Sequence, residues 1–253
     1  MTFREEMNAV LVREDPKVYD DLRGLLSSET GVSEFPEMWA LHQMGTCGNL
    51  HKENFDHSIR VAVAAPARLR VRLIALCHDV GKAMTRRVED GEVTFRLHEE
   101  RGELITRIAL TRLGYDVRLV EQVAVGVGMS GRASRYDESW SDASVRRVVR
   151  DADGFFDDLM DFVAVDSTSK WEHKREVMRQ QAKALRERVA VVEALDAERA
   201  RRPMLDGPAI MSILGVEPGP VIGRVTKALL AEQPETVADA ERIVEQFRES
   251  VEA

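Results

Sequence analysis

Residues 68–79, RLRVRLIALCHD, constrain this chain more than any other stretch: a helix-length run apolar enough to be buried and central, ending on an adjacent histidine and aspartate. A core-facing helix that carries such groups inward incurs a large desolvation penalty unless they pair or bind a cation. A divalent metal needs several imidazoles and carboxylates converging on one point, more than a single His-Asp pair supplies. His57 lies 21 residues before His78, in the preceding helical segment, where antiparallel packing would set it opposite. Asp166 closes a further apolar segment, DFVAVD, and is the candidate for a fourth ligand.

The remaining segments read as helices almost throughout. DPKVYDDLRGLL opens with Asp15 as an expected N-cap and Pro16 at the first helical position, with Val18, Leu22, Leu25 and Leu26 on one face. SSETGVSEFPEM reads as a loop, and NFDHSIRVAVAA as a helix through Phe55, Ile59 and Val63, stopped by Pro66. Gly81 is expected to end the central helix. EVTF reads as a short edge strand or extended loop. HEERGELITRIALTRLGYD places Leu104, Ile105, Ile108 and Leu113 on one face, with Gly114 as the stop. Ser141 caps a helix through Val145, Val148 and Val149, which Gly154 divides from a second through Phe155, Leu159 and Val163. A charged helix over residues 170–202 and a tail with Pro208 and a Thr236 cap complete an all-α chain, with a break in composition near residue 203.

Composition narrows the function classes. Among 253 residues, 44% are hydrophobic and 32% charged, and no apolar run reaches the roughly 18 residues of a membrane span. The first residues show no signal-like apolar core, so the cytoplasm is the expected location and no membrane partner is expected. Cys47 and Cys77 form no Cys-x-x-Cys pair, and Cys77 reads as a small core hydrophobe. A net charge of −8 disfavours a surface that is one nucleic-acid track. Residues 170–202 nonetheless hold ten lysines and arginines against six acids, a pattern of a solvated helix face.

HKENFDHSIRVAV, LIALCHDVGKAMTRR, VTFRLHEERGELITRIALTRLGYD and DFVAVDSTSKWEHKRE, in this order and spacing, resemble the HD-domain superfamily of metal-dependent phosphohydrolases. More specifically they are similar to the HD portion of bacterial CCA-adding tRNA nucleotidyltransferases. FREEMNAVLV and TGVSEFPEMWAL resemble the helical neck of that family, and RPMLDGPAIMSILGVEPGPVIGRVTKALLAEQ resembles its tail. The resemblance implies an HD-domain helical bundle: a neck-like segment over residues 1–45, the HD domain over 46–169, and a charged helix and tail over 170–253.

That resemblance implies one divalent transition metal ion (manganese, nickel, cobalt or iron) held by His57, His78, Asp79 and Asp166. Asp79, Lys82 and His98 take the catalytic roles, with Lys82 and either Arg86 or Arg87 reaching phosphate oxygens. The implied reaction is hydrolysis, by a metal-activated water, of phosphomonoesters or 2′,3′-cyclic phosphodiesters on nucleotides or RNA 3′ ends. Two departures qualify the match. The family's nucleotidyltransferase head has no counterpart before residue 50, and Asp151-x-Asp153 reads as a solvated helix end, so the chain by itself is not expected to polymerise nucleotides. A histidine usual in the family is replaced in the stretch Gly126, Val127, Gly128, Met129, which points to one metal in place of two. The alternative is a non-catalytic module with a vestigial HD site that binds tRNA or a separate head subunit.

Overall fold

Thr2 begins the fold. Its hydroxyl accepts from the Glu5 backbone N–H at 3.2 Å while its own N–H donates to the Glu5 carboxylate at 2.8 Å, a reciprocal cap that starts α1 (Phe3–Leu11). The computed structural model describes residues 1–44, 54–167, 172–200 and 202–248. Cys47 and Lys170 lie outside them.

Helix α2 (Val18–Ser27) begins later than expected, and Asp15 is not its cap. The Asp15 carboxylate instead accepts from the Lys17 N–H at 2.9 Å and pairs with Arg13 at 2.7 Å, closing a turn ahead of the helix. SSETGVSEFPEM is not a loop but two short helices. In α3 (Glu29–Glu34) the Ser28 hydroxyl caps the Gly31 N–H at 3.0 Å; α4 (Pro36–Gln43) has proline in its first turn. Serine and proline are turn formers that equally start helices, and burial of Phe35 and Met38 decides for the second role.

Then come α5 (Asn54–Ala64), α6 (Leu69–Cys77), a single turn α7 (Lys82–Thr85), and a hairpin of β1 (Arg87–Glu89) and β2 (Glu92–Thr94). The hairpin is antiparallel, with Arg87 opposite Thr94 and Glu89 opposite Glu92, so EVT has a partner strand that the sequence reading did not supply. Gly91, at φ 83°, takes the left-handed turn. Gly81 does not terminate α6 by left-handed geometry: its φ is −65°, and it leads into α7.

Helices α8 (His98–Arg112), α9 (Val117–Ala133), α10 (Asp142–Asp151) and α11 (Phe156–Val165) complete the site-bearing bundle. Gly114 and Gly154, at φ 75° and 78°, break the chain where expected, and the Ser141 hydroxyl caps α10. The face of α8 differs from the one expected: Leu104 and Ile108 are exposed, and Gly102, Thr106, Ala109 and Leu110 are buried. Small residues win there because α8 packs closely along α9. Helix α6 is the centre, buried from Val71 through Cys77 and in contact with α1, α5, α9 and α11.

Helix α12 (Glu172–Ala200) joins two compact units, Met1–Val192 and Glu193–Ala253. Part of its charge pairs along its own surface, Glu172 with Arg175 and Arg179 and Lys183 with Glu187, while Arg186 pairs with Asp157 and Asp161 of α11 and Arg188 with Asp142 of α10, so the face is only partly a solvated one. The second unit has its own core of Ile210, Leu214, Val225, Leu229 and Val244 from α13 (Gly207–Leu214), α14 (Pro220–Glu232) and α15 (Val237–Glu245). Among the described residues no helix is long and apolar enough to cross a membrane.

Candidate metal centre

Three helices supply the site. Helix α5 carries a buried His57 in its first turn, with the buried Phe55 and Ile59 on either side of it in sequence. Helix α6 ends on His78 as its C-cap residue, with Asp79 next in the chain, and α11 ends on Asp166 as its own C-cap. Two ties bring α11 to α6. Arg68 pairs with Asp158 and Asp161, and Arg70 with Asp158, at the start of α6. At its end, Phe162, one turn before Asp166, packs on the His78 ring with centroids 5.4 Å apart.

The ligand atoms meet. His57 Nε2 lies 3.2 Å from His78 Nε2, 3.8 Å from Asp79 Oδ2 and 3.5 Å from Asp166 Oδ1. His78 Nε2 lies 3.4 Å from Asp79 Oδ2 and 3.3 Å from Asp166 Oδ1. Bonds of ~2.1 Å to a tetrahedral cation would separate its ligands by ~3.4 Å, a spacing that His57, His78 and Asp79 approach as one group, with Asp166 in reach of both imidazoles but not part of that group. Two imidazoles and two carboxylates are the donor set of a borderline transition ion. His57, His78 and Asp79 are buried, whereas Asp166 is partly open to solvent and marks the accessible side.

The tautomer of His78 follows from its other nitrogen. Nδ1 is 2.7 Å from the Ala75 carbonyl oxygen and donates to it, which leaves the Nε2 lone pair of the neutral ring aimed at the other ligands. Burial alone would lower the His78 pKa, but the carboxylates of Asp79 and Asp166 outweigh it and raise it. Burial would raise that of Asp79, yet His78, Lys82 and His57 hold it well below the usual carboxylate range. Asp166 is likewise lowered, His78 and His57 overcoming its desolvation. The cluster is therefore a charged one that a cation can enter in exchange for a proton.

Lys82 and His98 flank it. Lys82 Nζ is 2.7 Å from Asp79 Oδ2, the same oxygen that faces both imidazoles, and 5.6 Å from the Phe95 ring centroid. His98 Nδ1 donates to the Phe95 carbonyl oxygen at 2.8 Å, and its Nε2 points toward Asp79 Oδ1 at 4.0 Å. Arg87 lies exposed on β1 of the hairpin. In α9 the stretch Gly126–Met129 presents no imidazole: Gly126 faces Ile74 and Phe155, Val127 packs on Gly102, and Gly128 faces the Glu103 carboxylate. Asp151 pairs with Arg132 at 2.8 Å, a helix-end carboxylate as expected. Phe162, Phe95 and Gly102 escaped the sequence reading as site residues; the spacing of Phe162 four before Asp166 was the available signal for the first.

The chain is similar to known proteins over most of its length. Residues 54–155 match the HD domain family. The chain is 31% identical over 209 residues to a CC-adding tRNA nucleotidyltransferase of Thermus thermophilus, covering 79% of this chain and 45% of that protein. It is 29% identical over 238 residues to an A-adding tRNA nucleotidyltransferase of Deinococcus radiodurans, covering 89% of this chain and 52% of that protein. The chain thus spans about half the length of the curated relatives it matches.

Proposed function

We propose, from a chain that carries an HD domain and is similar along most of its length to tRNA nucleotidyltransferases, that this protein is a metal-dependent phosphohydrolase. Its substrates on this reading are phosphomonoesters or 2′,3′-cyclic phosphodiesters of nucleotides or RNA 3′ ends. The observation that carries it is the convergence of His57, His78 and Asp79, with Asp166 Oδ1 3.5 and 3.3 Å from the two imidazole nitrogens. A bound manganese, nickel, cobalt or iron ion would supply Lewis acidity to a water and to a phosphoryl oxygen.

The protein's own part is positioning and charge. His57, His78, Asp79 and Asp166 would hold the ion, and burial of the first three leaves the Asp166 side open to the substrate. The Lys82 ammonium, tethered to Asp79 and resting near the Phe95 ring, offers a point charge to a phosphate oxygen. His98, its ring oriented by the Phe95 carbonyl, turns Nε2 toward the site to hydrogen-bond a phosphate oxygen or the attacking water.

A second reading, a non-catalytic module that binds tRNA or a separate nucleotidyltransferase head subunit, is favoured by the absence of an imidazole from Gly126–Met129. One experiment divides the two. Purified protein is assayed for bound metal and offered 2′,3′-cyclic AMP and bis(p-nitrophenyl) phosphate with and without manganese or nickel. Metal-dependent turnover abolished by His78→Ala, with loss of stoichiometric metal, supports the hydrolase; metal-free, inert protein with salt-sensitive tRNA binding supports the module.

A further inference from the structure

The chain between Lys82 and His98 leaves the candidate metal centre and returns to it. Lys82 touches Asp79 at the departure, His98 approaches Asp79 at the return, and the β1–β2 hairpin lies between. Beside this excursion is a cavity of about 310 Å³ whose lining includes Thr85, Arg87, Glu89, Arg96, Leu97 and Arg101. Thr85 is three residues past Lys82 on α7, and Arg101 three past His98 on α8, so each is a one-turn neighbour of a residue flanking the site. Three arginines against one glutamate give the cavity a net charge of +2. Arg96 is only loosely held by Glu89, at 3.7 Å. The guanidinium groups of Arg87 and Arg101 have no ion-pair or hydrogen-bond partner among the described residues. Unpaired arginines around a small cavity are donors in search of an anion.

We infer that this cavity is a second phosphate subsite, occupied by the backbone phosphate of an oligoribonucleotide whose 3′-terminal phosphate lies at the metal centre. The inference rests on the hydrolase reading and selects RNA ends over mononucleotides as its substrate class. The direction of the strand follows from charge. A larger cavity of about 740 Å³ shares Arg96 and Leu97 with the first, but its carboxylates Glu99, Glu100, Glu103 and Asp151 outnumber its arginines. A polyanion is repelled there and drawn to the hairpin side.

The test compares the wild-type chain with Arg96→Gln and Arg101→Gln, both exposed changes outside the catalytic set. Binding of a fluorescent oligoribonucleotide 3′-phosphate to metal-free protein is measured by anisotropy over a salt series. Each variant is expected to weaken binding about tenfold and to reduce the salt slope by ~0.7. With metal, KM for an oligonucleotide 2′,3′-cyclic phosphate rises by the same factor at constant kcat, whereas 2′,3′-cyclic AMP is turned over unchanged. Wild-type protein that does not bind the oligonucleotide, or variants that bind it equally well, overturn the subsite. Variants that turn over mononucleotide and oligonucleotide alike as wild type overturn it too, and leave the hydrolase standing. Weakened binding in a protein that hydrolyses nothing keeps the subsite and removes the hydrolase.

Discussion

Gly81 and Gly102 lie backbone against backbone. A methyl group added at Gly81 would come within 2.6 Å of the Gly102 nitrogen and 2.0 Å of the His98 carbonyl oxygen. The glycines of His78-Asp79-x-Gly81-Lys82 and His98-Glu99-Glu100-x-Gly102 therefore serve one purpose, holding the turn after Asp79 on the first turn of α8. Gly81→Ala is expected to destabilise the protein by about 1–3 kcal/mol or more and to displace His98 from Asp79. Gly24→Ala is its control: Gly24 sits exposed within α2 with nothing within 4 Å of an added Cβ, and the change should stabilise by ~0.5–1 kcal/mol. Urea denaturation of both variants measures the contrast.

Metal affinity should fall with pH through the imidazole range. In the metal-free cluster the Asp79 and Asp166 carboxylates raise the His78 pKa above its ordinary 6.5, so binding an ion must displace that proton. Asp79 and Asp166, lowered below 3.8, stay ionised throughout and add no second limb above it. Linkage fixes the sign for stability as well. The raised His78 contributes fully below pH 6.5 and loses its contribution as pH climbs through its folded value; the lowered carboxylates contribute above pH 3.8 and lose theirs on acidification. Calorimetric titration with manganese from pH 5.5 to 8.5, with thermal unfolding of metal-free protein extended down to about pH 2, reads both.

Lys82→Ala should separate metal binding from turnover. The ammonium occupies the same Asp79 oxygen that faces the imidazoles, and so competes with an incoming cation. Its removal is expected to tighten manganese binding about three- to tenfold while lowering kcat on cyclic phosphodiesters. Unchanged affinity together with unchanged kcat would show Lys82 to be a bystander.

Cys77 is fully buried at the end of α6, and burial pushes its thiol up to about 12. Native protein treated with iodoacetamide at pH 8 should carry no label on the Cys77 peptide, and urea-unfolded protein should carry it fully. Peptide mapping by mass spectrometry distinguishes Cys77 from Cys47.

The helical class was legible because it is written in local signals: period, Ser141 and Thr236 as caps, Gly114 and Gly154 as breaks. The grouping of His57, His78, Asp79 and Asp166 is legible mainly through the family resemblance of the motifs that carry them; their place at the end or first turn of apolar helices is a weaker local signal, since polar residues also cap helices. What escaped depends on tertiary packing. Leu104 and Ile108 carry the stronger apolar signal in α8, yet close approach to α9 favours Gly102, Thr106 and Ala109. The pairing of Lys82 with Asp79, and the seat of Phe162 on His78, join residues whose relation only the folded chain defines.

Arg72 lies in the middle of α6 with only 4% of its surface exposed, and its guanidinium donates to the carbonyl oxygens of Leu11, Arg13 and Ala65 at 3.0, 2.6 and 3.0 Å. Two of those acceptors belong to the end of α1 and the turn after it. A bundle excised from its first helices would retain a buried cation at its axis with two of its acceptors gone, so these helices are a keystone of the bundle rather than a handle attached to it. Recombination could pass these segments between proteins only as a single block.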